Sequence, residues 1–157
     1  MATTDWGAVE AEVIARLISQ ITTTDSRTVK SALSEKKADE FSKGINSIFT
    51  VNRGSTARDS GRSGNGYLRQ DEEWAIQILI YSASGKVQDV DRRAIQTLAA
   101  KVKAAINGYT PPSQVDDNQC LRLRRDEPVE EYSTVASMGL KIRQTYVLPC
   151  LLNALVV

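Results

Sequence analysis

The stretch WAIQILIY, residues 74–81, decides the fold class. Its Trp74, Ile76, Ile78 and Ile80 alternate with Ala75, Gln77, Leu79 and Tyr81. A period of two sends the two sets to opposite faces of a β-strand. One set is wholly apolar and the other is mixed, so residues 73–82 are expected to form a central strand. Upstream, IFTV at residues 48–51 supplies β-formers and predicts a first strand over residues 46–51. Between the two lies NRGSTARDSGRSGNGYLRQD, residues 52–71, with little to bury beyond Tyr67 and Leu68. It carries Arg53, Arg58, Arg62 and Arg69 against Asp59 and Asp71. Polar segments of this length inside a compact domain are usually functional or disordered. The expectation is a long, mobile Gly/Arg-rich loop between the first two strands that docks onto a partner. Its GRSGNG lacks the GxxxxGK[ST] spacing of a phosphate loop, and no strand-to-helix turn follows its glycines.

Downstream, Val90, Ala94, Ile95, Leu98, Ala99, Val102 and Ile106 form one helical face. Gly108 and Pro111-Pro112 stop that helix. Residues 120–125 predict a third strand, with Leu121 and Leu123 on one face and Cys120, Arg122 and Arg124 on the other. Residues 138–148 predict a fourth. There Leu140, Ile142, Gln144 and Tyr146 oppose Lys141, Arg143, Thr145 and Val147. Pairing of these two strands would lay Arg122, Arg124, Arg125, Lys141 and Arg143 across one sheet face. Such a basic ladder reads as an exposed face or as a subunit contact answered by acidic groups of a neighbour.

At the N-terminus, Val9, Val13, Leu17 and Ile21, widened by Ile14 and Ile18, predict a helix capped by Asp5 or Thr4. Residues 25–44 read as a polar stretch with a short helix anchored by Phe41 and stopped at Gly44. The tail, residues 149–157, contains Leu151, Leu152 and Leu155. Pro149 argues against its continuing as a central strand, so it either packs on its own core or enters a neighbour. The sum is an α+β domain over residues 1–148 with an apolar C-terminal extension, 149–157. Its helices are expected on one face of a mixed four-stranded sheet.

Composition bounds the chemistry. The chain has 157 residues, 41% hydrophobic and 25% charged, with a net charge of +1. That size favours one domain with a real core. The near-zero charge gives no global field for nucleic acid, and the basic strands lack the interleaved aromatics of a single-strand platform. There is no histidine, which removes the commonest general base and metal ligand. Cys120 and Cys150 make no CxxC pair. No nucleophile–base–orienter set can be assembled, so neither an enzyme nor a cofactor or metal site is expected. The N-terminus lacks a signal-peptide pattern and the apolar tail is too short to span a bilayer, so no membrane role is expected.

The order of pieces resembles the Mu-like family of phage tail terminator proteins, related in architecture to the lambda-type terminators. The resemblance runs over residues 45–148. It rests on IFTV, the Gly/Arg-rich segment ending at Gly66-Tyr67, EEWAIQILIYS, DRRAIQTLAAKVKAAINGYTPP, LRLRRDEPVEEYS and GLKIRQTYVLP. It implies a structural virion protein of the tail or neck, assembled in the host bacterial cytoplasm. It further implies a homo-oligomeric ring, of hexameric type, that caps the tail tube and meets the neck or connector. A sheath protein joins the partners if the tail is contractile. On this reading Arg53, Arg58, Arg62, Arg69, the basic ladder and Leu151, Leu152 and Leu155 are candidate interface residues. Another neck or head–tail joining protein of the same fold, and a nucleic-acid-binding module, stand as alternatives.

Overall fold

The computed structural model describes residues 5–21, 28–42, 46–62, 67–82, 89–117, 119–134 and 138–155, with the backbone alone at 58–62, 67–70, 89–91, 115–117 and 150–155. The elements run α1 (Trp6–Gln20), β1 (Thr28–Ala32), α2 (Glu35–Phe41), β2 (Ser47–Arg62), β3 (Tyr67–Ser82), α3 (Asp89–Ile106), a 3₁₀ turn (Pro112–Asp117), β4 (Arg122–Asp126), β5 (Glu130–Ser133) and β6 (Met138–Leu155). The sheet is mixed and has six strands in the order β1-β2-β3-β6-β4, with β5 also on β6. Only the β1–β2 pair is parallel; the others are antiparallel. The four-stranded expectation therefore falls short by β1 and β5.

Register fixes the two faces. Ile48 opposes Ile80, and Ile80 opposes Ile142; Ile76 opposes Tyr146 and Trp74 opposes Leu148. These side chains share one face and meet α1 through Val9, Val13 and Leu17, and α3 through Ile95, Leu98, Val102 and Ile106. Asp5 starts α1 by accepting from the Gly7 and Ala8 amides at 2.9 and 3.2 Å, which satisfies two of the orphan donors of the first turn. The buried stripe of α1 is narrower than expected, since Ile18 is 53% exposed. Glu10 of α1 accepts from Ser31 and Thr50 at 3.0 and 2.9 Å and so ties the helix to β1 and β2.

The opposite face is not bare. There Phe49, Val51, Leu79 and Tyr81 pack with Ala38 of α2 and Tyr132 of β5. The helices thus occupy both faces of the sheet, not one. Parallel β1 and β2 need a crossover, and α2 is that crossover. Ala38, fully buried, anchors α2; Phe41, expected in that role, is 53% exposed. Gly44 lies outside the described residues. Ser34 caps α2 by accepting from the Lys37 amide at 3.2 Å.

The largest departure is at residues 52–71. Instead of a long loop, β2 and β3 continue as an antiparallel hairpin, with Ala57 opposite Glu72, Arg58 opposite Asp71 and Arg62 opposite Leu68. The tail joins it: β6 runs on through Pro149, and Leu151, Leu152 and Leu155 oppose Asp71, Gln70 and Tyr67 on β3. Proline fits here because β4 pairs β6 only as far as Val147. Past that point β6 is an edge strand among the described residues, and edge strands tolerate a missing N–H.

Candidate interaction surface

The hairpin and the tail form a three-stranded tongue that extends the sheet past its core. Residues 53–62 alone supply on the order of 30 Å of strand at about 3.4 Å per residue. Residues 52–57 are all exposed, on both faces of the strand, so no core underlies the tongue there. Its root is anchored instead. Trp74 is completely buried, stacks on Trp6 at 5.2 Å with rings 3° from parallel, and donates from Nε1 to Asn52 Oδ1 at 2.8 Å. Trp6 donates in turn to Glu72 at 2.9 Å. The Asn52 side chain also accepts from the Gly54 amide at 2.9 Å.

The register slips between Asn52 and Ser55, a β-bulge that re-aims the strand where it leaves the core. Gly54 sits in this bulge at φ +79° with open space around the position of a Cβ. The cost of a side chain there is backbone strain alone. Gly54→Ala should lose roughly 1 kcal/mol in chemical denaturation, and Gly54→Asn less, because Asn tolerates this region. Equal losses for both would show that the bulge does not depend on the left-handed conformation.

Four sequence candidates fall in the tongue. Arg53 is exposed on β2; Arg58 and Arg62 follow on the same strand, and Arg69 on β3 opposes Asn153 of β6. The structure therefore places the arginine-rich segment and the apolar tail in one sheet, with β3 carrying Arg69 beside the tail and separating it from Arg53, Arg58 and Arg62 on β2.

The basic ladder separates into two groups. Arg122 is exposed on β4, Arg124 meets Glu73 at 2.9 Å with both half-exposed, and Arg125 reaches Glu127 at 3.8 Å. Lys141 and Arg143, by contrast, lie under α2. Lys141, 8% exposed, reaches Asp39 and Glu35 at 3.1 Å and Glu130 at 3.6 Å. Arg143 is bound to Glu35, to Glu127 at 3.2 Å and to Glu130 at 3.0 Å. Tyr81 donates to Asp39, and the Ser42 and Tyr132 hydroxyls meet at 2.5 Å. Acidic groups do answer these two cations, but they belong to the same chain.

Electrostatics follow from this geometry. Burial by itself would raise the Glu35 carboxyl, but the hydrogen bonds from Arg143 and Lys141 outweigh it and hold Glu35 below its ordinary value. Burial would lower Lys141 and Arg143, yet their bonds to Glu35, and for Lys141 also to Asp39, raise both. Burial, then the bond to Asp39, pushes the Tyr81 hydroxyl far above its normal range. Glu35 and Asp39, the helix acids that answer these cations, carry no motif of their own in the sequence. Their signal is the four-residue spacing on a helix, which faces the two-residue spacing of Lys141 and Arg143 on a strand.

Elsewhere, a groove of about 440 Å³ between α3 and the β4–β5 connection is lined by Ala99, Lys103, Asp126, Val129 and Ile142. Lys103 and Asp126 pair within it at 2.7 Å. Among the described residues, no group of three His, Cys, Asp or Glu is placed to hold a metal, and no helix is long and apolar enough to cross a membrane.

No protein-family model and no curated protein matches the chain. A chain in the virion of a native gene transfer agent particle does match in structure, with a TM-score of 0.53 and 13% identity. The match covers 95% of this chain and 98% of that one. At that identity the likeness concerns the fold, and it extends over nearly the whole of both chains.

Proposed function

We propose that this protein is a structural component of a phage-like virion, and more closely a tail terminator subunit that assembles into a ring capping the tail tube. The observation that carries the reading is the fold shared, nearly end to end, with a chain of a gene transfer agent virion. The exposed stretch at residues 52–57 of β2 supports it, since a strand exposed on both faces gains by docking. The charge pattern also fits: a net charge of +1 avoids self-repulsion among crowded copies. Head-to-tail contacts between unlike surfaces close into rings. The partners on this reading are further copies of the chain, the tube protein, the neck or connector and, in a contractile tail, the sheath. The role is non-catalytic.

Light scattering coupled to size exclusion, followed by negative-stain microscopy, tests the reading. The expected result is a closed ring, six-fold in mass, that binds one end of purified tail tubes. A chain that stays monomeric at every concentration and ignores tube ends would overturn it.

A further inference from the structure

The tongue has two unlike open edges. β1 leaves β2 at Val51, and β4 leaves β6 at Val147. Beyond those points, among the described residues, no strand covers the outer side of β2 at 53–62 or of β6 at 149–155. Each edge is a row of backbone donors and acceptors ready for another strand. The β2 edge carries Arg53, Arg58 and Arg62 against Asp59, whereas residues 149–155 carry no charge. A low-charge apolar strand on an open edge is the kind of segment that proteins normally shield. Here its backbone is in unbroken register with β3, from Tyr67 opposite Leu155 to Ser82 opposite Leu140. It is a preformed strand, not a loose end.

We infer that the β6 edge of one copy pairs with the β2 edge of the next, so that the tongues join into one closed sheet around the axis of the ring. The occupant is a second copy, and three observations select this pairing. β2 and β6 both run antiparallel to β3, so they point the same way in the tongue. Rotation about an axis along the strands then brings unlike edges together in parallel orientation. Pairing β2 with β2 would set Arg53, Arg58 and Arg62 against their own copies, and like charges across strands are destabilising. Pairing β6 with β6 would close a two-fold dimer and leave both β2 edges open. The unlike pairing uses every edge through one repeated contact, and a closed sheet leaves none open. The bulges of β2, at 52–55 and 59–62, bracket the regular stretch 55–59. That stretch is where the neighbour's residues 151–155 would add.

The inference rests on the ring reading and is separable from it. In a background carrying Cys120→Ser and Cys150→Ser, cysteines at Ser55 or Ala57 are combined with a cysteine at Leu151, Leu152 or Asn153. The set holds one face of β2, samples both faces of β6 and covers several registers. Under mild oxidation, at least one double variant should give a ladder of covalent multimers ending at the ring size, and the single variants should give none. Dimers from Asn153→Cys or Leu152→Cys alone would indicate β6–β6 pairing and overturn the inference. A ring by light scattering with no mixed disulfide in any combination would also overturn it, while leaving the ring reading intact; a permanent monomer would defeat both. The unaltered chain gives a second measurement. Backbone amides at 55–59 and 151–155 should slow in hydrogen exchange together, by an order of magnitude or more, as copies associate. Association without that protection would place the contact elsewhere and overturn the inference.

Discussion

Trp74→Ala should be the most damaging single truncation in the protein, with a loss of about 3–5 kcal/mol, the range for deleting a large buried aromatic. Trp74 is completely buried at the point where the sheet stops having a core and the tongue begins. It does three things at once. It fills the first-face core beside Leu148 and Ile76, it stacks on Trp6, and it donates to Asn52, which in turn accepts from Gly54 in the bulge. Alanine removes the ring from all of these. Trp74→Phe separates the contributions: it keeps much of the volume and loses the N–H donor, at a cost of about 1 kcal/mol for the hydrogen bond. Urea denaturation gives both values. Hydrogen exchange adds a local readout, because loosening the root should deprotect residues 53–57 in Trp74→Ala before the core opens. A loss near 1 kcal/mol for alanine, typical of an ordinary site, would show that the neighbouring side chains collapse into the space and that the root does not depend on Trp74.

The sequence reading succeeded where side chains dictate backbone and failed where they do not. The alternation in residues 74–81 and 140–147 reports burial on each face, and both strands form in register with the anticipated faces. The apolar face of α3 is legible for the same reason, although Ala94 turns out exposed. β1 was illegible: TVKSA is a short edge strand with only Ala32 buried, so no periodic signal exists. The tongue is illegible because its strands are set by backbone pairing to β3, and the described β2 side chains there, residues 52–57, are all exposed. Gly, Ser and Arg there carry the composition of a loop while the hydrogen-bond ladder makes a hairpin. Pro149 was weighed as a stop signal, correctly for a central strand, but the strand has become an edge by that residue. Lys141 and Arg143 were placed on the correct face. Of their partners, Glu35 and Asp39 are illegible because they lie in a helix more than a hundred positions away in sequence.

Lys141→Met is expected to lose about 3 kcal/mol, the scale for stranding one side of a buried ion pair. Methionine keeps the aliphatic stem, so packing changes little and charge is the variable. Four carboxylates, Glu35, Asp39, Glu127 and Glu130, surround Lys141 and Arg143, and Glu127 also has the exposed Arg125 at 3.8 Å. Without Lys141, Glu35 keeps Arg143, while Asp39, one helical turn away, is left with the Tyr81 hydroxyl and, among the described residues, no cation at the site. The apolar contribution of α2 cannot compensate, since Ala38 is its one buried residue. The crossover helix is held to the sheet by charge. The pH dependence follows in sign. Glu35 is held below its ordinary value of 4.5, so its stabilising contribution is complete above that value and fades as pH falls through the lowered one. Lys141 and Arg143 are raised above their ordinary values, so their contributions persist through neutral pH and fade only on the alkaline side. Denaturation midpoints followed from neutral pH to below the ordinary Glu value should fall steeply in the native chain. They should fall less in Lys141→Met, where Glu35 has lost one of its two hydrogen-bonding cations. If Lys141→Met instead matched the native chain at neutral pH and kept the same acid slope, α2 would be held by shape and not by charge. The same slope in both would locate the acid-sensitive group elsewhere.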